Sequence, residues 1–281
     1  VKNFLCYLLT WLNVPANWAG RLLLGFVAAV PGWLSSTIIA AVSGLVLLII
    51  FKHTSNQTAI ARTRDKISAE LLALKLFKDS LSVTFQSEAR LFKEALRLLI
   101  YSLVPLAVMI VPVSLLLAQM GLWYQWRPLR PGEQTLVTVS LSGSGRQNPS
   151  PVQIESSEAA SVVAGPVQII SKRQVLWKIR ADQPGRHRIV FETAGERIEK
   201  DLCIGNGFMR ISAKRPGRQP ADILLHCAEK PFGPDSIVKS VSIDYPQRQS
   251  FTSGSDWWLV YFFVASMVFA LLFKPLVKVR I

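Results

Sequence analysis

Acidic residues, cysteine and histidine are scarce in this chain of 281 residues. It carries 18 Asp and Glu against 32 Lys and Arg, with three Cys and three His. His53, His187 and His226 fall in different regions, and there is no CxxC pair. Nothing therefore has the spacing of a metal site. No GxSxG, HExxH or Walker-type loop occurs. Gly205-Asn206-Gly207 reads as a turn rather than a phosphate cradle, because no helical pattern follows it. The long apolar runs contain no acid, which argues against a proton-coupled pump. They are also too few for most transporter folds. The aromatic-interleaved basic sheet of an RNA binder is missing too. These absences predict a non-enzymatic protein with no cofactor, no metal, no nucleic-acid partner and no evident small-molecule substrate.

What is abundant is apolar sequence in blocks. Trp33–Phe51, Leu98–Met120 and Trp257–Phe273 are apolar, each close to the roughly 17 to 25 residues that cross a bilayer. Three membrane-spanning helices are expected at 33–51, 98–120 and 257–273. The second contains Pro105 and Pro112, so kinks are expected there. Trp123, Tyr124 and Trp126 read as an aromatic belt at its exit, and Trp257 and Trp258 as anchors of the third span. Small polar residues in the first span, Ser35, Ser36, Thr37 and Ser43, have two readings. Such residues usually bond their own backbone or a neighbouring helix. As a set they are also the candidate for a moist groove that receives a polar segment.

Between the first two spans lies a charged stretch, 52–97, with nine Lys and Arg against five Asp and Glu. Ser55 or Thr58 can cap a helix start. Ile60, Arg64, Ile67, Leu71 and Leu74 follow at alternating spacings of four and three, as do Leu81, Phe85, Glu88, Phe92, Ala95 and Leu99. These are two heptad-type seams, broken at Asp79-Ser80. The stretch is read as an antiparallel helical hairpin of coiled-coil type, with Arg64 near Glu88. Arg62, Arg64, Lys66 and Leu74 are its candidate contact residues. The basic excess, with Lys274, Lys278 and Arg280 in the tail 274–281, places hairpin and C-terminus in the cytoplasm by the positive-inside rule.

Residues 1–32 are apolar but interrupted by Asn13, Pro15 and Asn17. An interfacial amphipathic helix over 16–30 is expected, with Trp11 and Trp18 as anchors. A signal peptide cleaved after Ala28-Ala29 is the alternative.

Residues 128–250 change character. Gln134–Leu141 alternates with period two, and similar short runs follow at Val152–Glu155, Val167–Ile170, Val175–Ile179, Arg188–Phe191, Ile198–Ile204, Ile223–His226 and Ile237–Ile243. Turn formers separate them. This predicts an all-β, immunoglobulin-like sandwich outside the cytoplasm, with Trp177 as a core tryptophan. The spacing of Cys203 and Cys227 allows a disulfide worth roughly 3 kcal/mol on chain-entropy grounds. Two free thiols fit the sequence equally.

The order of parts resembles the small three-span members of the YidC/Oxa-type insertase superfamily. The resemblance covers 33–120 and 257–281 and rests on topology and the hairpin Lys52–Arg97. The segment 16–30 is similar to the amphipathic helix that precedes the first span in that superfamily. Two features depart from the plan. Trp33–Phe51 lacks the basic groove residue of many bacterial members, and the β-domain is additional. The resemblance implies a bacterial inner-membrane protein that assists membrane-protein insertion, with nascent membrane proteins or the ribosome as partners. The alternative is a non-catalytic envelope scaffold that binds another envelope protein through its β-domain.

Overall fold

The computed structural model describes residues 2–76, 81–142, 152–155, 158–193, 196–250, 252 and 257–277. The expected hairpin turn at Asp79-Ser80, the turn Gly143-Ser144-Gly145 and the basic residues Lys278 and Arg280 lie outside these. The chain divides into two compact units, Val1–Ser36 with Ser114–Val260, and Thr37–Val113 with Tyr261–Ile281.

The first unit contains helix α1 (Lys2–Leu23), the β-domain, and the ends of three long helices: α2 (Gly32–Thr54), α4 (Leu81–Tyr124) and α6 (Trp257–Val277). Helix α1 runs straight through Pro15, where the sequence predicts an interruption and a helix over 16–30 instead. The reason is where its polar groups go. Asn13 and Asn17 lie on the face turned to the β-domain and bond backbone carbonyls there, so nothing forces the helix to break. A short 3₁₀ turn, Gly25–Ala28, follows.

The β-domain has two antiparallel sheets. Their strands are β1 (Gln134–Leu141), β2 (Val152–Ile154), β3 (Ala160–Ile169), β4 (Gln174–Ala181), β5 (Gly185–Thr193), β6 (Glu196–Ile204), β7 (Lys214–Arg215) and β8 (Val238–Ile243). The larger sheet has the order β3-β4-β1-β8-β7 and the smaller β2-β5-β6. Period-two alternation is the cause of both. Thr135, Val137, Val139 and Leu141 of β1 are buried, as are Val175, Trp177, Ile179 and Ala181 of β4. From the smaller sheet Ile189, Phe191, Ile198 and Leu202 join the same core. Trp177 is buried as expected, its ring 5.7 Å from that of Phe191. One expected strand is wrong: Ile223–His226 belongs to helix α5 (Pro220–Leu225) and its end. Pro220 at its first position presets helical φ, and only Ile223 is buried, a helical rather than an alternating pattern. β7 is two residues long and too short to register as a period.

Among the described residues three helices are long and apolar enough to cross a membrane: Gly32–Thr54, Ser87–Tyr124 and Trp257–Val277. In their apolar windows 39% of α2 is buried, against 6% of α4 and 11% of α6, so α2 is the inner helix. Small residues let α2 and α6 approach closely. A Cβ added at Gly44 would lie 2.7 Å from the Ser266 carbonyl oxygen. Thr37 and Tyr261 bond through their hydroxyls at 2.5 Å, and Lys52 Nζ donates to Val277 O at 2.9 Å.

Helix α3 (Gln57–Leu76) and the start of α4 form the expected helical pair, and α4 continues into its apolar part without a break. The cap is Asn56, not Ser55 or Thr58: its Oδ1 accepts the Ala59 N–H at 3.1 Å. On α3 the expected Ile60, Ile67 and Leu74 hold, while Thr63 and Glu70 take the places expected of Arg64 and Leu71; on α4 the described seam is shifted by one residue. The least exposed positions are Ile60, Thr63, Ile67, Glu70 and Leu74 on α3, and Ser87, Leu91, Glu94 and Leu98 on α4. Leu71 and Phe92, expected inside, are 52% and 72% exposed. The ion pair between the helices is Glu70–Arg90 at 3.9 Å rather than one between Arg64 and Glu88. Thr63, Glu70, Ser87 and Glu94 alternate in this seam with apolar residues, unlike the all-apolar seam of a coiled coil.

Phe191 packs at the centre of the β-domain, and Phe191→Ala should cost about 3–5 kcal/mol. The expected outcome is a markedly earlier melt in near-ultraviolet circular dichroism of the full chain in detergent. An unchanged melt would remove Phe191 from the core.

Candidate functional site

The four groove candidates are engaged rather than open. Ser35 and Ser36 are buried and donate to Gly32 O and Trp33 O, at 3.1 and 3.0 Å. Ser43, also buried, donates to Ile39 O at 2.6 Å. Ser35 Oγ also accepts the Tyr124 hydroxyl at 2.8 Å, and Thr37 meets Tyr261. These bonds match the helix-packing reading of small polar residues. On the hairpin Arg62, Arg64 and Lys66 are exposed and Leu74 is half-buried.

The expected aromatic belt is not a belt. Trp123 and Tyr124 are buried, Trp126 packs against the β-domain core, and Trp258 is buried beside exposed Trp257. Four of the most exposed aromatics lie on α1. Phe4, Tyr7, Trp11 and Trp18 are each at least 66% exposed, and with Val14 and Leu22 they recur at spacings of three and four. Cys6, Asn13 and Gly20 line the opposite, buried face. Helix α1 is thus amphipathic with its apolar side turned away from the β-domain, the arrangement of an interfacial helix.

Its polar side is fixed by a buried network. Asn13 Nδ2 donates to Ile223 O at 2.8 Å, and Asn17 Nδ2 to Cys227 O at 2.6 Å. Asn17 Oδ1 accepts from Arg210 Nη2 at 2.6 Å and from Gln119 Nε2 at 2.9 Å. Gln119 Nε2 also reaches Cys227 Sγ at 3.3 Å, and its Oε1 accepts from Arg210 at 3.3 Å. One asparagine therefore joins α1, the end of α4 and the β-domain. Burial pulls the Arg210 guanidinium below its usual pKa. The amide oxygens that its Nη2 meets belong to α1 and α4, so these bonds form only when all three parts are together.

The second cluster lies under β6. Alternation turns Ile198, Lys200, Leu202 and Ile204 inward. Lys200 is fully buried, and its Nζ donates to Glu229 Oε1 at 2.6 Å and to Ser212 O at 2.5 Å. The Ser212 hydroxyl donates to the same Glu229 oxygen. Burial lowers the Lys200 pKa, and the Glu229 charge opposes that shift. Saturated by these contacts, Ser212 and Lys200 form a structural bracket joining β6 to the segments at 212 and 229. The sequence signal was a basic residue at an inward position of an alternating run.

The disulfide that the spacing allowed is not formed. Cys203 and Cys227 are free and buried, as is Cys6. Cys203 Sγ contacts Arg210 O at 3.6 Å, whereas Cys227 Sγ accepts from Gln119. Burial pushes each of these two thiols up to about 11. Among the described residues no group of His, Cys, Asp and Glu is placed to hold a metal ion. Comparison with family models, curated proteins and solved structures finds no match to this chain.

Two outcomes follow from these clusters. Thiolates are the reactive form, so Cys203 and Cys227 should resist maleimide at pH 8 in the folded protein. They should label after unfolding without any reductant; a requirement for reductant would restore the disulfide. Lys200→Met leaves the Glu229 carboxylate unpaired and should destabilise by about 3–5 kcal/mol. The double variant Lys200→Met with Glu229→Leu should recover part of that loss in the same melt. A double variant as unstable as the single one would refute the bracket.

Proposed function

We propose that the chain is a non-enzymatic membrane adaptor that holds its β-domain against the bilayer surface and binds an envelope protein there. Helices α2, α4 and α6 cross the membrane in this reading. The excess of Lys and Arg in the hairpin and tail supports a cytoplasmic side for the α3–α4 hairpin and the C-terminus, with α1 and the β-domain on the other side of a bacterial inner membrane in this reading. Interfacial α1 anchors the domain. The two-sheet plan with Trp177 at its centre is in keeping with an immunoglobulin-like sandwich.

The observation that carries this reading is the edge of the larger sheet. β3 lies at the end of the strand order and pairs with β4 alone among the described residues. Its outer residues Val162, Val163 and Val167, with Ile170 just beyond, are 46 to 73% exposed. An apolar open edge is a template for an added strand. Pro166 has no N–H and interrupts the row of donors, so pairing is confined to the half after it.

A second reading keeps the insertase-like core. It is favoured by the outward apolar residues Leu71, Leu72, Phe92 and Leu96 on the hairpin and by the bare surface of α4. Those faces would receive a nascent membrane protein. With Ser35, Ser36 and Ser43 already bonded, the wet groove is the weaker part of this reading.

Photo-crosslinkers at Val167, Leu72 and Ser43 separate the two. The adaptor predicts one discrete adduct from Val167 that persists when translation is stopped. Adducts from Leu72 and Ser43 to ribosome-stalled nascent chains, with none from Val167, would overturn it in favour of the insertase.

A further inference from the structure

A cleft of about 900 Å³ opens in the first unit where the β-domain meets the start of α2. It is lined by Trp33, by Arg127 and Arg130 of the segment leaving α4, by the loop Gly205–Phe208, and by Arg248. No acidic residue is among the lining residues described. Glu133, just behind it, is occupied. Arg127 holds its two oxygens at 2.8 Å each, and the Arg130 backbone N–H donates to Oε2 at 2.8 Å. The Arg127 charge is thereby matched, and the charges of Arg130 and Arg248 remain.

Arg248 is held in place by groups that leave its charge uncompensated. Its guanidinium carbon lies 3.9 Å from the centre of the Phe208 ring, and Nε donates to Trp123 O at 3.1 Å. Burial, and secondly the nearby Arg127 charge, lower its pKa to about 10. A half-buried arginine that shares with Arg130 a cleft whose described lining has no acid attracts an anion. The ring of Phe208 also lies against Gly32, where an added Cβ would meet it, so this loop is wedged onto the first turn of α2.

Position gives the anion its class. The cleft is bounded by the first residues of α2 and by the segment that leaves α4. In the membrane reading of these helices this is the level of the headgroups. Trp33 stands at its rim, 59% exposed, as an aromatic at that level should. Guanidinium forks match phosphate oxygens in geometry as well as charge. We propose that this cleft binds the phosphate of an anionic glycerophospholipid from the adjoining leaflet, with Arg130 and Arg248 as its ligands. The inference rests on the membrane reading of α2 and α4 and is independent of what the β3 edge binds.

The test is native mass spectrometry of the full chain in detergent, titrated with phosphatidylglycerol or phosphatidylcholine of equal chain length. The wild type should retain phosphatidylglycerol about tenfold more strongly, a step equal to roughly 1.4 kcal/mol. Arg130→Gln, at an exposed position, should lose most of that preference, and Arg130→Gln with Arg248→Gln all of it. Arg62→Gln on the hairpin should keep it. Equal retention of both lipids by the wild type, or an unchanged preference in Arg130→Gln, would overturn the proposal. Glycerol phosphate distinguishes the sources of the anion. Weak competition supports a lipid, whereas binding as tight as that of phosphatidylglycerol means a soluble phosphate and sinks the lipid assignment.

Discussion

Asn17 is the residue on which the membrane-side architecture of the first unit turns. Its amide is donor to the β-domain and acceptor for both Arg210 and Gln119. An asparagine in an apolar helix is costly unless each polar atom has a partner. Here the partners come from α4 and from the β-domain, so the same bonds that make Asn17 tolerable assemble the unit. Arg210 makes the arrangement stricter. Its charge is buried without a carboxylate among its hydrogen-bond partners, and amide oxygens from α1 and α4 solvate it. Loss of any one part would strand a polar group in a place water does not reach.

The β-domain uses the opposite device at Lys200. There a full ion pair replaces an apolar side chain at an inward position of β6. Buried pairs are poor sources of net stability because desolvation offsets the attraction. They do penalise every arrangement in which the partners are apart. Lys200 with Ser212 and Glu229 therefore fixes where the irregular segments after β6 lie, a stretch with little regular structure of its own. The exposed pairs at Arg188 and Arg197 carry no such constraint, since water and salt screen them.

Much of this was legible in the sequence because it depends on periodicity. The apolar blocks became α2, α4 and α6, and alternation located β1 to the residue. Trp177 was read as core from its place in an alternating run. The failures are equally physical. In α1 the pattern was judged by what Asn13 and Asn17 would cost in lipid, when the tertiary structure supplies partners for the whole Asn17 amide and for Asn13 Nδ2. The hairpin seam was assigned to the most apolar line, through Leu71 and Phe92, and the chain instead turns Thr63, Glu70, Ser87 and Glu94 inward. Two of these carry an ion pair, Glu70 with Arg90 and Glu94 with Arg97. Long-range partners such as the Ser212–Glu229–Lys200 set carry no local signal at all.

The two faces of α1 give the last constraint. A helix on a water-soluble domain normally turns its apolar side inward, yet α1 turns asparagines inward and Phe4, Trp11 and Trp18 outward. The interfacial reading of α1 accounts for that inversion, since the medium at a bilayer surface is itself apolar on one side. The same medium accounts for the distribution of tryptophan. Trp123 and Trp258 are consumed in packing the helix ends, so the exposed rings available at the interface are those of α1, Trp33 and Trp257. In the proposed adaptor reading, the β-domain is held to the helices rather than carried on a long linker. Residues 127–133 leave α4 and enter β1 while braced by the Arg127–Glu133 pair, and Asn17 holds α1 to the same domain. Under that proposal, a partner of the β3 edge would have to reach the membrane surface to meet it.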